Sequence, residues 1–304
     1  MDRLAAMQTF VRVAEAGSFT AVADQLGVAR SAITRQIAAL EGHLGVKLIA
    51  RSTRRLSLTS AGVAYLEQCR EILDRIDEAE STVAGDRQTL RGTVRASVPM
   101  SFGLTHLTPL ILDFSQAHPD IHIDLDFNDR HVNLIEEGID VAVRITDRLP
   151  DTTVARRLTT CRSVVVAAPA YLKRHGEPKQ PADLVRHACL MYSLSSRSSW
   201  AFQGEGQAQL VDIGGPLSAN NGNALCEAAV RGMGVFYGPT FVVADMVRAG
   251  KLKRILRNFP LPAFDMYAVF PGNRFVPERV RAFVDFLAAG LGPEPWWDRG
   301  LDLD

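Results

Sequence analysis

Between Leu4 and Leu44 the apolar residues keep a helical period that Gly17 and Gly27 interrupt, and this limits the fold more than any other feature. Leu4, Met7, Phe10, Val11 and Ala14 predict a first helix that ends before Gly17. Ser18 stands where an N-cap belongs, and the segment FTAVADQLG predicts a short second helix closed by Gly27. Val28, Ala29 and Arg30 form the expected turn. A third helix is predicted from about Ser31, with Ile33, Ile37, Leu40 and Leu44 as one inward stripe. Its complementary face carries Ser31, Thr34, Arg35 and Ala38, which are small, hydroxylated or cationic. Two short helices joined by a tight turn, the second with a hydrogen-bonding front, describe a helix-turn-helix over about 18–37.

After Gly45 the segment VKLIARSTRRLSLT predicts a hairpin. Lys47-Leu48-Ile49 and Leu56-Ser57-Leu58 form its arms, and Arg51, Arg54 and Arg55 lie toward its tip. This stretch contains no acidic residue, although the whole chain has a formal net charge of +0. Residues 1–59 hold eight basic and four acidic groups, a local +4, whereas residues 60–92 carry −3. The positive field therefore belongs to one small unit and points to a polyanionic partner for it. A lone basic hairpin is ordinarily a solvated surface. Joined to the three-helix pattern, it is expected to be a wing whose arginines hold the backbone or minor groove of duplex DNA. Arg30, Ser31, Thr34 and Arg35 are then the residues nearest base edges or phosphates.

The run from Ala5 to Gly62, including AAMQTFVRVAEAGSFTAVADQLGVARSAITRQIAALEGHLGVKLIARSTRRLSLTSAG, resembles the N-terminus of LysR-type transcriptional regulators. Two positions depart from the family pattern. Arg30-Ser31 stands where Gln-Pro is frequent, which leaves base preference open, since arginine suits a guanine edge where glutamine suits adenine. Ser60 stands where proline is frequent, and serine also serves at a helix start. The resemblance implies a sequence-specific DNA-binding regulator controlled by a small-molecule effector. It also implies a homodimer that pairs into a dimer of dimers on an interrupted inverted repeat.

From Ser60 the chain runs about thirty residues without proline. Leu66, Cys69, Leu73, Ile76 and Val83 predict a narrow apolar seam, with Glu80 at a skipped position. We expect residues 60–92 to form a linker and dimerisation helix, with a hinge from Gly85 to Gly92. The alternative is a helix covering part of its own domain.

Beyond Gly92 strands and helices alternate. Strands are expected at 93–98, 121–127 and 140–145, with helices around 102–117 and 132–138 between them, which implies a parallel sheet. A second unit begins with a strand at 162–169. Helices follow at 170–174, near 182–187, at 223–231 and at 240–249, with extended segments at 216–221 and 234–239. The strand at 265–271 and the helix from Pro277 to about Ala289 return to the first unit. The expected architecture is α+β and multidomain. A winged helix-turn-helix occupies 1–59, and a two-lobed α/β effector domain, like a periplasmic binding protein, occupies 93–304. Lobe 1 spans about 93–161 plus 265–290, and lobe 2 about 162–264.

Strand C-termini and helix N-termini should line the cleft between the lobes, where backbone N–H groups favour anionic ligand groups. The candidates are Pro99, Met100 and Ser101 after the first strand, Asn128 after the second, Arg144, and Asn220 and Asn221 before a helix of lobe 2. Each has an ordinary alternative. Ser101 is equally placed to cap a helix, the asparagines to make turns, and Arg144 to pair with Asp140 or Asp147.

The chain carries no GxGxxG, P-loop, HExxH or GxSxG motif, so no enzyme is expected. His118 and His122 are four apart, but Pro119 breaks any shared helical face. No cofactor or metal is expected, because Cys69, Cys161, Cys189 and Cys226 lie too far apart for metal spacing. They read as free, mostly buried thiols. Neither a secretory h-region nor a membrane span is legible, and a cytoplasmic location follows as an expectation. The runner-up reading is a soluble small-molecule binding protein of transport type, which the two-lobed half alone would suit.

Overall fold

A computed structural model of the chain describes residues 1–51, 56–83, 90–130, 132–195, 198–203, 208–272 and 276–303. It divides into two compact units, Met1–Leu90 with Ile135–Gly138, and Arg91–Leu134 with Ile139–Asp304.

In the first unit, α1 (Arg3–Ala16), α2 (Phe19–Leu26) and α3 (Arg30–Leu44) follow the apolar period closely. Gly17, Gly27 and Gly45 end these helices with φ of 60°, 65° and 70°, a left-handed conformation that a Cβ would penalise. Ser18 caps α2, its Oγ accepting from the Ala21 amide at 3.2 Å. The third helix begins one residue earlier than expected, so Arg30 is its first residue rather than part of the turn. Phe10, Val13, Val22, Ile33, Ile37 and Leu40 are buried together as the core. The hairpin consists of β1 (Ile49–Arg51) and β2 (Leu56–Leu58), paired antiparallel with Ile49 opposite Leu58.

The helix α4 (Ser60–Val83) follows the wing. Thr59 starts it, accepting from the Gly62 amide at 2.9 Å while donating to the Lys47 carbonyl at 2.6 Å. A Cβ on Gly62 would lie 2.0 Å from the Leu48 carbonyl oxygen, so only glycine lets α4 approach the wing this closely. The expected dimer seam needs correction at its first two positions. Leu66 and Cys69 are buried in the core of their own unit, beside Phe10 and Leu40, and cannot present that surface to a partner helix. Leu73 and Ile76 are half-buried. The expected hinge over 85–92 lies mostly outside the described residues.

Two five-stranded sheets organise the second unit. Lobe 1 is built on β3 (Gly92–Val98), β4 (Ile121–Phe127), β5 (Val141–Thr146), β6 (Val154–Cys161) and a late strand (Phe264–Phe270). Its helices are α5 (Met100–Phe102), continued by a π-helical segment Gly103–Leu107, and α6 (Thr108–Ala117). Lobe 2 holds β7 (Ser163–Ala167), α7 (Pro169–His175), a 3-10 segment Pro181–Arg186, and β8 (Cys189–Tyr192). A hairpin of β9 (Ser199–Gln203) and β10 (Ala208–Asp212) follows, then β11 (Ser218–Ala219), α8 (Gly222–Val230), β12 (Val235–Pro239), α9 (Thr240–Arg248) and β13 (Lys253–Ile255). The chain returns through β14, the strand Phe264–Phe270, into α10 (Glu278–Leu291), which packs on α6, β3 and β6 of lobe 1. The strand orders are β4-β3-β5-β14-β6 and β11-β8-β12-β7-β13.

Both sheets are mixed rather than parallel. The strands β3, β4 and β5 run parallel, but β14 pairs antiparallel with β5 and β6. In lobe 2, β12 is parallel to β8 and antiparallel to β7. The antiparallel members are the strands flanking the crossovers, which arrive from the other lobe and so run against their neighbours. The expected helix over 132–138 is instead a turn. Gly138 (φ 64°) donates to the Ile135 carbonyl, and Asp140 anchors the next strand by accepting from the Arg95 amide at 2.8 Å. With Gly138 in the left-handed region closing the turn and Asp140 fixed to Arg95, the chain turns here rather than continuing as a helix. The helix expected around 102–117 carries the π segment near Gly103, where a Cβ would come within 2.7 Å of Val98.

One buried carboxylate joins the recognition helix to the wing. Glu41, on α3 and 5% exposed, accepts from the Leu48 amide at 3.0 Å, the Ile49 amide at 3.2 Å and Lys47 Nζ at 2.6 Å. Burial by itself raises the carboxyl pKa, but Lys47 and the two amides outweigh it and hold the group below the ordinary carboxylate range. A depressed carboxylate contributes stability that is present at neutral pH and lost as pH falls through its folded pKa. Glu41→Gln should therefore destabilise the first unit by about 1–3 kcal/mol at pH 7, because one or both amides lose their charged acceptor. In denaturant titrations followed by hydrogen exchange, that difference should shrink as pH falls through the depressed folded-state pKa of Glu41, because wild-type Glu41 is then itself protonated. A difference that stays constant from pH 7 down to the acid limit of the folded state would contradict the charged role of Glu41.

Candidate nucleic-acid interface and ligand cleft

The front of α3 is solvent-facing. Arg30, Ser31, Arg35 and Ala38 are exposed and Thr34 is half-buried, while Ile33, Ile37 and Leu40 are buried behind them. Thr34 Oγ1 donates to the Arg30 carbonyl at 3.0 Å, and Arg35 Nε to the Ser31 carbonyl at 3.4 Å. Ala29 at the N-cap offers no side-chain acceptor, so the positive end of this fifteen-residue helix has no side-chain cap beside Arg30 and Ser31. Such an end attracts phosphate. Arg51 lies on β1, and its side chain, like Arg54 and Arg55 entirely, lies outside the described residues. Lys47, which contributed to the acid-free stretch, is neutralised by Glu41 across the fold. The cationic character of this surface therefore rests on the arginines. In the sequence Glu41 is one of four acids in residues 1–59, and nothing local signals its partners six to eight residues on.

In the second unit the structure brings two helix starts together. Ser101 is in the first turn of α5, and Gly222 is the first residue of α8. A Cβ on Gly222 would lie 3.7 Å from Ser101 Oγ. Ser101 is 8% exposed, and its Oγ has no hydrogen-bond partner among the described residues. A buried hydroxyl beside the N-terminus of a helix is a ready donor to an anionic or carbonyl oxygen. Pro99 caps α5 and is buried, whereas Met100 is 38% exposed and its amide donates to Asp129 Oδ1 at 3.0 Å. Tyr192, at the end of β8 in lobe 2, hydrogen-bonds the same Asp129 carboxylate, and desolvation together with that charge raises its pKa. Asp129 and Tyr192 thus tie the lobes at the same strand ends. Neither was singled out from sequence, where a tyrosine after a short strand carries no signal.

The remaining candidates make local contacts. Asn128 Oδ1 accepts from the Arg130 amide at 2.9 Å in a turn, and Asn221 Oδ1 caps α8 through the Ala224 amide at 3.1 Å. Asn220 is exposed beside it. Arg144 donates to the Ser97 carbonyl at 3.4 Å, the Ser97 hydroxyl at 2.9 Å and the Val143 carbonyl at 2.9 Å. All four cysteines are free and buried. Burial raises their pKa values, to about 11 for Cys69 and Cys226 and about 12 for Cys189, which keeps these thiols protonated. No group of three or more metal-binding side chains occurs among the described residues. No helix among them is long and apolar enough to cross a membrane.

Comparison with known proteins agrees with both halves. Residues 4–63 match the bacterial regulatory helix-turn-helix protein of the lysR family, and residues 87–292 match the LysR substrate binding domain. An HTH-type transcriptional regulator of Xanthomonas campestris is 36% identical over 288 residues, covering 93% of this chain and 83% of the relative. An HTH-type transcriptional repressor of Pseudomonas aeruginosa is 34% identical, covering 97% and 94%. Among solved structures, CrgA, a LysR-type transcriptional regulator from Neisseria meningitidis, superposes with a TM-score of 0.61 at 32% identity over 94% of this chain and 98% of that one. These relatives are transcriptional regulators, which sets aside the transport-type binding protein. With a winged helix-turn-helix before a two-lobed α/β unit, the chain belongs to the LysR-type transcriptional regulator family.

Proposed function

We propose that this LysR-type regulator reads its operator with Arg30, Ser31, Thr34 and Arg35 on α3, while Arg51, Arg54 and Arg55 of the wing, with Ser18, engage the backbone or minor groove. The observation that carries this reading is the exposed, uncapped start of α3 held in register with the wing by Glu41. Base readout falls to the helix start and phosphate attraction to the wing. The two roles separate by experiment. Arg30→Ala should relax preference at one base pair of each half-site, a discrimination of about 1–3 kcal/mol, in binding to a panel of mutated sites. Arg54→Ala with Arg55→Ala should weaken all sites alike and flatten the salt slope by about 0.9 per lost phosphate contact. A salt slope unchanged in that double variant would remove the wing from the interface.

The effector is bound, on this reading, in the cleft where Ser101 meets the start of α8, with Pro99, Met100, Asn128, Asn220 and Asn221 around it. Arg144 supports the lobe 1 side through Ser97. The neutral, donor-rich lining suits a small polar or carboxylated compound, and effector binding shifts the protein between two arrangements on DNA. The protein works in the cytoplasm as a homodimer, paired into a tetramer, with residues 60–92 as the linker. The relatives include a repressor in Pseudomonas aeruginosa and the activator TtdR in Escherichia coli, so the family resemblance is compatible with either sign of regulation. A thermal-shift screen of small carboxylates should yield compounds that raise the melting temperature of the wild type, by about 2.7 kcal/mol in stability at a hundredfold excess over Kd. Ser101→Asp should abolish that shift and leave DNA affinity intact, since a fixed carboxylate would occupy the anion-seeking position. A hit whose shift survives in Ser101→Asp would place the ligand elsewhere.

A further inference from the structure

Sequence reading gives the chain two passages between the lobes, and the structure contains a third. The first passes through Arg162, between β6 and β7, and the second lies between β13 and β14. The third follows α10. That helix packs on lobe 1, with Phe283 and Phe286 against Phe114 at 5.3 and 5.5 Å. The segment after it is then bound to lobe 2 and to the crossover itself by three arginines. Arg248 of α9 donates to the carbonyls of Trp297 and Arg299, and Arg254 of β13 to those of Leu301 and Asp302. Arg162 bridges to Asp298 at 2.9 Å, where the carboxylate is nearly fully buried. The backbone of this segment is therefore fastened along one side.

Its side chains reach back the other way. Trp297 is 1% exposed, and its ring packs edge-on against Phe102 of lobe 1 at 5.1 Å. It also lies 5.2 Å from His106 in the π segment of lobe 1 and 6.5 Å from Phe241 of α9 in lobe 2. Phe102 and Phe241 meet directly at 4.9 Å, and His106 Nε2 donates to the Phe241 carbonyl at 3.2 Å. The indole Nε1 of Trp297 is buried without a hydrogen-bond partner among the described residues. Ring packing rather than a polar bond therefore holds it in place. Its aromatic partner Phe102 lies in the helical turn that carries Ser101, and His106 lies in the π segment that continues it, so a change in lobe spacing alters this packing.

We propose that residues 293–303 form a strap over the interlobe hinge and that Trp297 is its wedge, a positioning residue that fixes the spacing between α5 and α9 and hence the resting aperture of the cleft. The strap is anchored to lobe 2 by Arg248 and Arg254 and to the crossover by Arg162, and among the described residues the rings of Trp296 and Trp297 reach across to His106 and Phe102 of lobe 1. Closing or opening the cleft must then re-seat one ring, which gives the two-lobed unit discrete arrangements rather than a continuum. This inference rests on reading the unit as an effector-binding domain, but its test uses no effector, so its failure and that of the effector reading are told apart.

Hydrogen exchange of the full-length chain, read by mass spectrometry, compares wild type, Trp297→Ala and Trp297→Phe. With Trp297→Ala, peptides over 101–107 in lobe 1 and 240–244 in lobe 2 should both exchange at least tenfold faster, while β3 and β12 keep wild-type protection. Trp297→Phe should restore both peptides to within about threefold, because the indole N–H has no acceptor to lose. Acceleration confined to 240–244 would reduce Trp297 to a cover of lobe 2 and overturn the proposal, as would failure of phenylalanine to rescue. Should Trp297→Ala not fold, Asp298→Asn, which releases Arg162 alone, decides. It should accelerate the same two peptides by a smaller factor, and wild-type exchange in 101–107 would overturn the strap.

Discussion

A buried carboxylate is the interaction on which the DNA-binding half depends. The recognition helix and the wing are separated by a glycine turn and share a core in which Leu48 and Ile49 pack with Ile37 and Leu40. Apolar packing is non-directional, so a specific polar tie is what sets their register. Glu41 supplies the tie by accepting two consecutive backbone amides at the start of β1, groups that the short hairpin leaves unpaired on that side. Charge makes it strong, since hydrogen bonds to an ionised acceptor are roughly twice as strong as neutral ones. Lys47 then balances a charge that burial alone would not tolerate. Thr59 and Gly62 lock the other side of the same strand against α4. Helix α3 and the start of the wing are thus tied to each other on one side and to α4 on the other.

The regulatory half is held together differently. Among the described residues, contacts between the lobes include a tyrosine on a carboxylate (Tyr192 and Asp129), a serine opposite a glycine (Ser101 and Gly222), a hydrogen bond from His106 to the Phe241 carbonyl, and an aromatic cluster around Trp297. Polar ties lie at the mouth and an aromatic contact at the hinge. The unpartnered Ser101 hydroxyl lies between them, at the point where both helix N-termini converge.

Much of this was legible because the governing forces were local. The period of α1 to α3 and the glycines that close them report burial and left-handed caps within a few residues, and the structure follows them nearly residue for residue. Other features escaped because tertiary partners decide them. Leu66 and Cys69 fit a dimer seam by spacing, yet the packing of α1 claims them for a domain core. The strand β6 carries Arg156 and Arg157 at its centre, which blurs its alternation. Both charges find acids on other elements, Asp285 and Asp265, and the strand survives at the sheet edge. The three-residue β13 and the turn over 132–138 are too short for periodicity to speak. In the candidate sites the polar residue types were visible and their pairing was not. Gly222 and Asp129 gain meaning only from what lies across the cleft.

The central claim is that α3 and the wing form one surface fitted to duplex DNA. Its most direct test is repeated selection of binding sites by the full-length chain from a pool of random duplexes at low ionic strength. The account predicts enrichment of a two-fold symmetric, interrupted repeat, with the enriched base pairs protected from cleavage when the chain is bound. A pool that stays indistinguishable from its starting composition after several rounds, with the protein folded, would contradict it.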